Sequence, residues 1–245
     1  MGFKCVGSAR RILSFVALGC LLGAATVVGT VLVSVTPALA SCSDFHTNVE
    51  GKDTSGNYYG NRAFIYVNTS SVINNLNNSI FRSLGVVGSF GNDVEVGWSA
   101  NNPPGSHSGP TVYAEWINRD TDSRPRFYSG YSLKLDTNYT FLVENVGHIN
   151  IFRFKVDGQS SPFDYSPTMN FNTGTVITNS EHYNTCDSLY THMYALSHMR
   201  SDTSWHDYDN LACLLNNSGG NWLFNKISNT ELKVDPNTGS TCPTP

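Results

Sequence analysis

An all-β fold, an antiparallel β-sandwich of jelly-roll or concanavalin-like type, is what this sequence predicts. Gly, Asn, Ser and Pro punctuate the chain about every ten residues. Short runs rich in β-branched and aromatic side chains lie between them, the rhythm of a sandwich or barrel. Charged residues make up only 14% of the chain, so Asn, Ser, Thr and Gly supply the polar surface, as suits an extracellular β protein.

The runs give the strands in order. Ala63 to Val67 reads Ala-Phe-Ile-Tyr-Val, and Ile80 to Val87 follows an Asn-rich turn. Val94 to Trp98 comes next, then the loop Asn101-Asn102-Pro103-Pro104-Gly105 and the strand Thr111 to Asn118. Tyr139 to Asn145 and Ile149 to Val156 read as a hairpin, and Asp157-Gly158 marks a tight turn. Met169 to Phe171 and Thr175 to Ser180 are shorter candidates, and Asn221 to Phe224 with Glu231 to Val234 close the domain. Leu189 to Met199 fits a helical turn or a strand equally well, because its apolar spacing follows neither period. Ser201 to Asp209 is polar and reads as a loop.

Residues 1–40 read as a signal peptide and residues 41–245 as a single sandwich domain. Lys4, Arg10 and Arg11 precede an uncharged apolar run from Ile12 to Val35, followed by Thr36-Pro37-Ala38-Leu39-Ala40. That is a small-residue cleavage site of the A-x-A type, which predicts removal after Ala40 and a secreted product. The run is also long enough to span a bilayer as an uncleaved anchor. Arg10-Arg11 fits twin-arginine export, although so apolar a core favours the general secretory route. Residues 41–245 keep 12 basic and 19 acidic residues, a net charge of −7. With no Lys/Arg cluster, this balance excludes a nucleic-acid partner, and membrane contact is expected only through the signal segment during export.

Of six Cys, Cys5 and Cys20 lie in the signal, leaving Cys42, Cys186, Cys213 and Cys242. Four Cys in an exported chain predict two disulfides with three possible connectivities. The favoured pairing is Cys42–Cys242, tying the termini, with Cys186–Cys213, whose loop closure contributes about 3 kcal/mol in the chain-entropy model. Zinc ligation would need a short Cys-Cys spacing that is missing here.

Two strands carry the chemistry. In Asp93-Val94-Glu95-Val96-Gly97-Trp98, alternation puts Val94, Val96 and Trp98 on one face and Glu95 with Gly97 on the other. A carboxylate beside a glycine, on a strand whose other face is core, leaves room for a ligand. In Thr111 to Ile117, Tyr113, Glu115 and Ile117 point one way and Val112, Ala114 and Trp116 the other. Glu181 follows the strand Thr175 to Ser180, placed to reach the same concave face. The chain holds six Glu (50, 95, 115, 144, 181 and 231); Glu144, next to Asn145 and Gly147, reads as a turn residue.

Glu-Val-Gly-Trp at 95–98 resembles the Glu-x-Gly-Trp motif of the neprosin family of secreted glutamic peptidases. Tyr-Ala-Glu-Trp at 113–116 is similar to a Trp-Tyr-Glu-Trp motif of the fungal glutamic peptidases. The Glu-Val-Gly-Trp signature also resembles that of exported actinobacterial proteins. The peptidase resemblance spans about residues 80 to 182 and implies a sandwich whose concave face carries a Glu with a Gln, or two Glu. On that footing Glu95 and Glu181 are the catalytic candidates, and Trp98, Tyr113, Glu115 and Trp116 the substrate-binding ones. Two carboxyls sharing a site do not both ionise easily, so one stays protonated to polarise a carbonyl while the other activates water, with an acid optimum. The same logic serves glycosidases.

No metal or cofactor is assigned. The histidines are 46, 107, 148, 182, 192, 198 and 206, and they read as lone surface side chains, since His192 and His198, six apart, match no ligand spacing. Trp205-His206-Asp207-Tyr208-Asp209 is compatible with sugar or Ca²⁺ but lacks the regular oxygen ligands of a Ca²⁺ loop. No Gly-x-Ser-x-Gly elbow occurs. The second functional expectation is a non-catalytic sandwich binding carbohydrate or protein through an aromatic platform of Tyr113, Trp116, Tyr128, Tyr131 and Trp205. Either way the partner is a polypeptide or polysaccharide.

Overall fold

Alternation of apolar and polar residues drives the fifteen strands found among the described residues into two antiparallel sheets. The computed structural model describes residues 47–68, 80–88, 91–100, 109–118, 126–157, 161–182, 190–216 and 222–236, all within the compact unit Ser41–Pro245. The strands are β1 (Thr47–Asp53), β2 (Gly60–Val67), β3 (Ile80–Val87), β4 (Asp93–Ala100), β5 (Thr111–Ile117), β6 (Arg126–Ser132), β7 (Thr137–Glu144) and β8 (Arg153–Val156). They continue as β9 (Asp164–Tyr165), β10 (Thr175–His182), β11 (Thr191–Met199), β12 (Trp205–Asp207), β13 (Leu211–Asn216), β14 (Trp222–Ser228) and β15 (Glu231–Pro236). The seven-stranded sheet runs β13-β1-β10-β3-β4-β5-β6; the eight-stranded one runs β14-β15-β11-β2-β7-β8-β9, with β12 on β11. No α-helix occurs among the described residues.

The inner faces meet in one apolar layer. Val49, Ile80, Leu84, Val86, Val94, Val96, Trp98, Val112 and Ala114 from the first sheet pack on Ala63, Ile65, Val67, Phe141, Val143, Phe154 and Met193 from the second. Each large apolar side chain so buried contributes about 1.5–3 kcal/mol. Polar inner residues cross the same layer. Asn61 of β2 donates Nδ2 to Gly85 O (3.0 Å) on β3 and to Ile177 O (2.7 Å) on β10, and accepts from the Tyr208 hydroxyl (2.7 Å). Arg82, fully buried on the inner face of β3, donates Nη1 to Phe81 O (2.7 Å) and Glu181 O (3.0 Å), with its guanidinium 5.8 Å from the Trp98 ring.

Several expectations are revised. Met169 and Phe171 form no strand; their side chains anchor a loop in the core. Within Leu189 to Met199 the described part forms β11 from Thr191 to Met199, Leu189 lying outside the described residues, and the expected loop 201–209 contains β12, held by pairing with β11. Glu144 is no turn residue: it ends β7, buried, and pairs with Arg153 (2.5 Å) and Lys155 (3.5 Å) across the β7–β8 hairpin. Cys213 is buried and disulfide-bonded. Cys42, Cys186 and Cys242 lie outside the described residues, as do the signal segment and the Asn101 to Gly105 loop, so the connectivity stays an expectation.

His198 is also no surface histidine. It is fully buried, stacked on Tyr58 (3.7 Å), and its Nδ1 lies 3.1 Å from Asp53 Oδ2. Asp53 further accepts from the Ser55 amide and hydroxyl and from the amides of Asp209 (3.1 Å) and Asn210 (3.3 Å). Arg200 donates Nε toward His198 Nε2 (3.4 Å). The network joins the end of β1 to β11 and to the β12–β13 turn. Burial opposes the charge on Asp53, but the hydrogen bonds from His198, Ser55 and Asp209 outweigh it and hold the carboxyl well below its usual range. A depressed carboxyl stabilises the fold above its ordinary pKa near 3.8 and loses that contribution as pH falls below it. Asp53→Asn is therefore expected to destabilise by about 3 kcal/mol at neutral pH and by much less at low pH. Denaturant unfolding at both pH values measures the difference; an equal loss at both would contradict it.

Candidate active site

Cross-strand register sets out the outer face of the seven-stranded sheet in rows. One row reads Ile177, Gly85, Glu95, Glu115 across β10, β3, β4 and β5. The next reads Glu50, Asn179, Ser83, Gly97, Tyr113, starting from β1. The third reads Asn48, Glu181, Phe81, Ser99, Thr111. Asp93 lies one row beyond Glu95, opposite Val87. Asp93, Glu95, Glu115 and Glu181 thus share one face, and all four are buried.

Glu95 and Glu181 stand two strands and two rows apart, about 13 Å of strand rise. They approach because both lean into the row between them. Ser83 Oγ donates to Glu95 Oε2 (2.5 Å), and Asn179 Nδ2 donates to Glu181 Oε2 (3.3 Å). Ser83 and Asn179 are themselves direct cross-strand partners. The sequence pointed to two carboxyls sharing one site; here the Ser83–Asn179 pair occupies the ground between them. Arg82, reaching through the sheet to Glu181 O, fixes the β10 backbone at that point.

Electrostatics marks out Glu95. The Glu95 carboxyl is raised well above the usual carboxylate range, first by burial, then by the neighbouring charges of Asp93, Glu115 and Glu181, with the Ser83 hydrogen bond partly offsetting them. Glu115 lies directly across from Glu95, so the two repel whenever both are ionised.

Glycines shape the floor. A Cβ on Gly85 would stand 2.8 Å from Glu95 Cγ and 2.6 Å from Val94 O, so the Glu95 side chain lies over a residue without one. At Gly97 a Cβ would meet Arg82 O at 1.9 Å and Ser83 Cα at 2.6 Å. That glycine is required by the close approach of β3 and β4, whatever else it leaves room for.

The remaining sequence candidates divide. Tyr113 points to the carboxylate face, buried and edge-on to Phe81 (5.4 Å). Trp98 and Trp116 do not line the groove, because alternation sends both to the inner face. Trp98 is fully buried in the core, and Trp116 packs on it and stacks with Phe154 (6.4 Å). The aromatic platform likewise does not assemble. Tyr131 packs on the core edge-on to Tyr139, and Trp205 belongs to the other sheet, beneath the Arg62 guanidinium (4.6 Å). The Tyr128 side chain lies outside the described residues. Sequence reasoning missed Ser83, Asn179 and Asp93, whose signal was polar character at outward positions of strands.

A depression of about 450 Å³ opens at the strand ends next to Asp93, lined by Asn57, Val87, Asn170, Asn172, Thr173 and Thr175. Elsewhere, Asp53, His198 and Asp209 bring metal-capable atoms within 4.8 Å of one another. The Asp53 oxygens there already accept five hydrogen bonds.

This arrangement defines an all-β sandwich with a buried carboxylate row on one sheet face. The fold is similar to that of scytalido-glutamic peptidase in a crystal structure with a peptide-based transition-state analog (TM-score 0.50, 10% identity, covering 80% of this chain and 100% of that one). A second crystal structure of that peptidase, with a transition-state analog inhibitor, aligns with TM-score 0.49, 11% identity and the same coverage. SCLam, a non-specific endo-β-1,3(4)-glucanase of glycoside hydrolase family 16, aligns over 54% of this chain and 51% of its own (TM-score 0.37, 6% identity). At these identities the likeness is one of fold. No family model and no curated protein sequence matches the chain.

Proposed function

We propose that this chain is an exported hydrolase of polypeptides, of glutamic-peptidase type, acting at acid pH with Glu95 and Glu181. The observation that carries the reading is Glu95: a carboxyl raised well above the usual range, first by burial and then by its acidic neighbours, on the sheet face it shares with Glu181. In this reading residues 1–40 direct export and are removed after Ala40, and a polypeptide lies in the groove with its chain extending toward the amide-lined depression beside Asp93.

The chemistry follows from the two environments. Glu95 gives its proton, as a hydrogen bond and then outright, to the scissile carbonyl oxygen as the π pair moves onto that oxygen. Glu181, which receives a donor from Asn179 suited to a carboxylate, takes a proton from water as the water oxygen bonds to the carbonyl carbon. When the C–N bond breaks, the leaving amine takes the proton back from Glu181, and Glu95 is reprotonated as the carbonyl reforms. Such general acid–base steps contribute about 10²–10⁴-fold each. Glu115 acts on Glu95 by keeping it protonated.

The peptide reading is favoured over the binding-module reading because the carboxylates converge on one face, while the aromatic residues needed for a platform fall on different faces and sheets. The test is digestion of a denatured protein at roughly pH 3–5 by the chain secreted with its own N-terminal segment and purified from the medium. Cleavage that fades toward neutral pH is expected. Intact substrate across the acid range would end the reading.

A further inference from the structure

We infer that Asn179 seats the attacking water beside Glu181. The inference rests on the hydrolase reading above and goes beyond the carboxylates that reading names.

Three observations converge on Asn179. It lies on the outer face of β10, buried at 5% exposure, in the row between Glu95 and Glu181. Its Nδ2 is committed to Glu181 Oε2 (3.3 Å). Its Oδ1 is buried, and no donor reaches it among the described residues. A buried amide oxygen without a donor is costly, so a fold that keeps one beside Glu181 is suited to a ligand with a hydrogen to give. The groups around it are Glu181 on its own strand, Glu50 across on β1 and Ser83 across on β3. Glu50 already accepts from Asn48 Nδ2 (2.5 Å), and the Ser83 hydroxyl is turned to Glu95.

Water has two hydrogens and meets two acceptors here. One O–H donates to the Glu181 carboxylate, the other to Asn179 Oδ1. The lone pair is then directed away from both, toward a carbonyl whose oxygen faces Glu95. In the attack the O–H bond to Glu181 breaks, its proton passes to that carboxylate, and the O–C bond forms; the Asn179 hydrogen bond persists throughout. Ser83, by donating to Glu95 Oε2, leaves the other Glu95 oxygen to carry the proton offered to substrate. The Asn179 contact does not work reversed, because an amide N–H cannot accept from a protonated Glu181.

The test compares Asn179→Ala and Asn179→Asp with wild type in acid digestion, reading kcat, KM and the pH profile, with melting temperatures as a folding control. Asn179→Ala is expected to lose about 10²-fold in kcat with KM little changed. Asn179→Asp keeps the shape. Protonated, it still donates to Glu181 and accepts from water; ionised, it repels Glu181. Its activity should approach wild type at the acid end and fall off at lower pH than wild type does. A structural Asn179 would give neither the kcat-only loss nor the displaced limb. Near-wild-type kcat in Asn179→Ala, or an Asn179→Asp profile superimposed on wild type, overturns the inference while leaving the hydrolase reading intact. Absence of cleavage by wild type overturns both. Where Asn179→Ala does not fold, Asn179→Asp carries the test alone.

Discussion

On the proposed hydrolase reading, Glu95→Gln is expected to reduce acid proteolysis by about 10²–10⁴-fold while leaving the protein folded. Gln keeps the volume of Glu and the acceptor for the Ser83 hydroxyl, but it has no acidic proton to give a carbonyl oxygen. Glu181→Gln should fall as far, because an amide cannot take a proton from water. Digestion of one denatured substrate by the three proteins measures both, and retention of more than about a tenth of wild-type kcat in either variant would remove that residue from the reaction.

The same substitution has a second, opposite consequence for stability. A carboxyl whose folded pKa is raised binds its proton more tightly in the native than in the unfolded state. Its favourable contribution is present below the ordinary value near 4.5 and is lost as pH rises through the folded value. Wild type should therefore lose stability between roughly pH 4.5 and neutrality through this group, as the buried Glu95 is driven to ionise beside Asp93, Glu115 and Glu181. Glu95→Gln removes one of the four and should flatten that slope, giving a higher melting temperature than wild type at neutral pH and a smaller difference at acid pH. Identical slopes would mean that Glu95 is not held protonated, and the assignment of acid and base would fail with it.

How much of this was legible in the sequence depends on whether a feature is local. Alternation within a strand is local, so the segregation of Val94, Val96 and Trp98 from Glu95 could be read directly, and the structure places them so. The same parity rule places Trp98 and Trp116 on the inner face, away from the groove that motif resemblance alone implies. Register is not local. Nothing within Ile80 to Val87 says that Ser83 will stand beside Asn179, since that pairing joins residues 96 positions apart across β3 and β10. The buried Arg82 broke the apolar pattern of its own strand, and its partners, the carbonyls of Glu181 and Phe81, become visible only once the sheets close. The place of His198 is hidden in the sequence for the same reason: burial beside Asp53, 145 residues away, follows from packing and leaves no mark in ligand spacing. Short edge elements such as β12 owe their strand form to the neighbour they pair with.

Gly97→Ala is expected to cost about 3 kcal/mol or more, the upper end of what overpacking does, and to abolish activity with the fold. The added methyl would stand 1.9 Å from Arg82 O and 2.6 Å from Ser83 Cα. Both are backbone atoms of the neighbouring strand, so no rotamer change relieves the contact, and the only escape is to separate β3 from β4. That separation moves Ser83 away from Glu95 and disturbs the Arg82 clamp on Glu181, so the site fails even where some sheet survives. Gly109→Ala is the internal control, because a Cβ there meets nothing within 4 Å; it should leave the unfolding midpoint unchanged. Gly85→Ala separates the two effects. Its methyl presses on Glu95 Cγ at 2.8 Å as well as on Val94 O at 2.6 Å, so it should impair catalysis beyond what its loss of stability explains. Denaturant midpoints and acid activity of the three variants order them, and a Gly97→Ala protein as stable as Gly109→Ala would show that the glycine of the Glu-x-Gly-Trp motif is kept for the ligand and not for the joint between the strands.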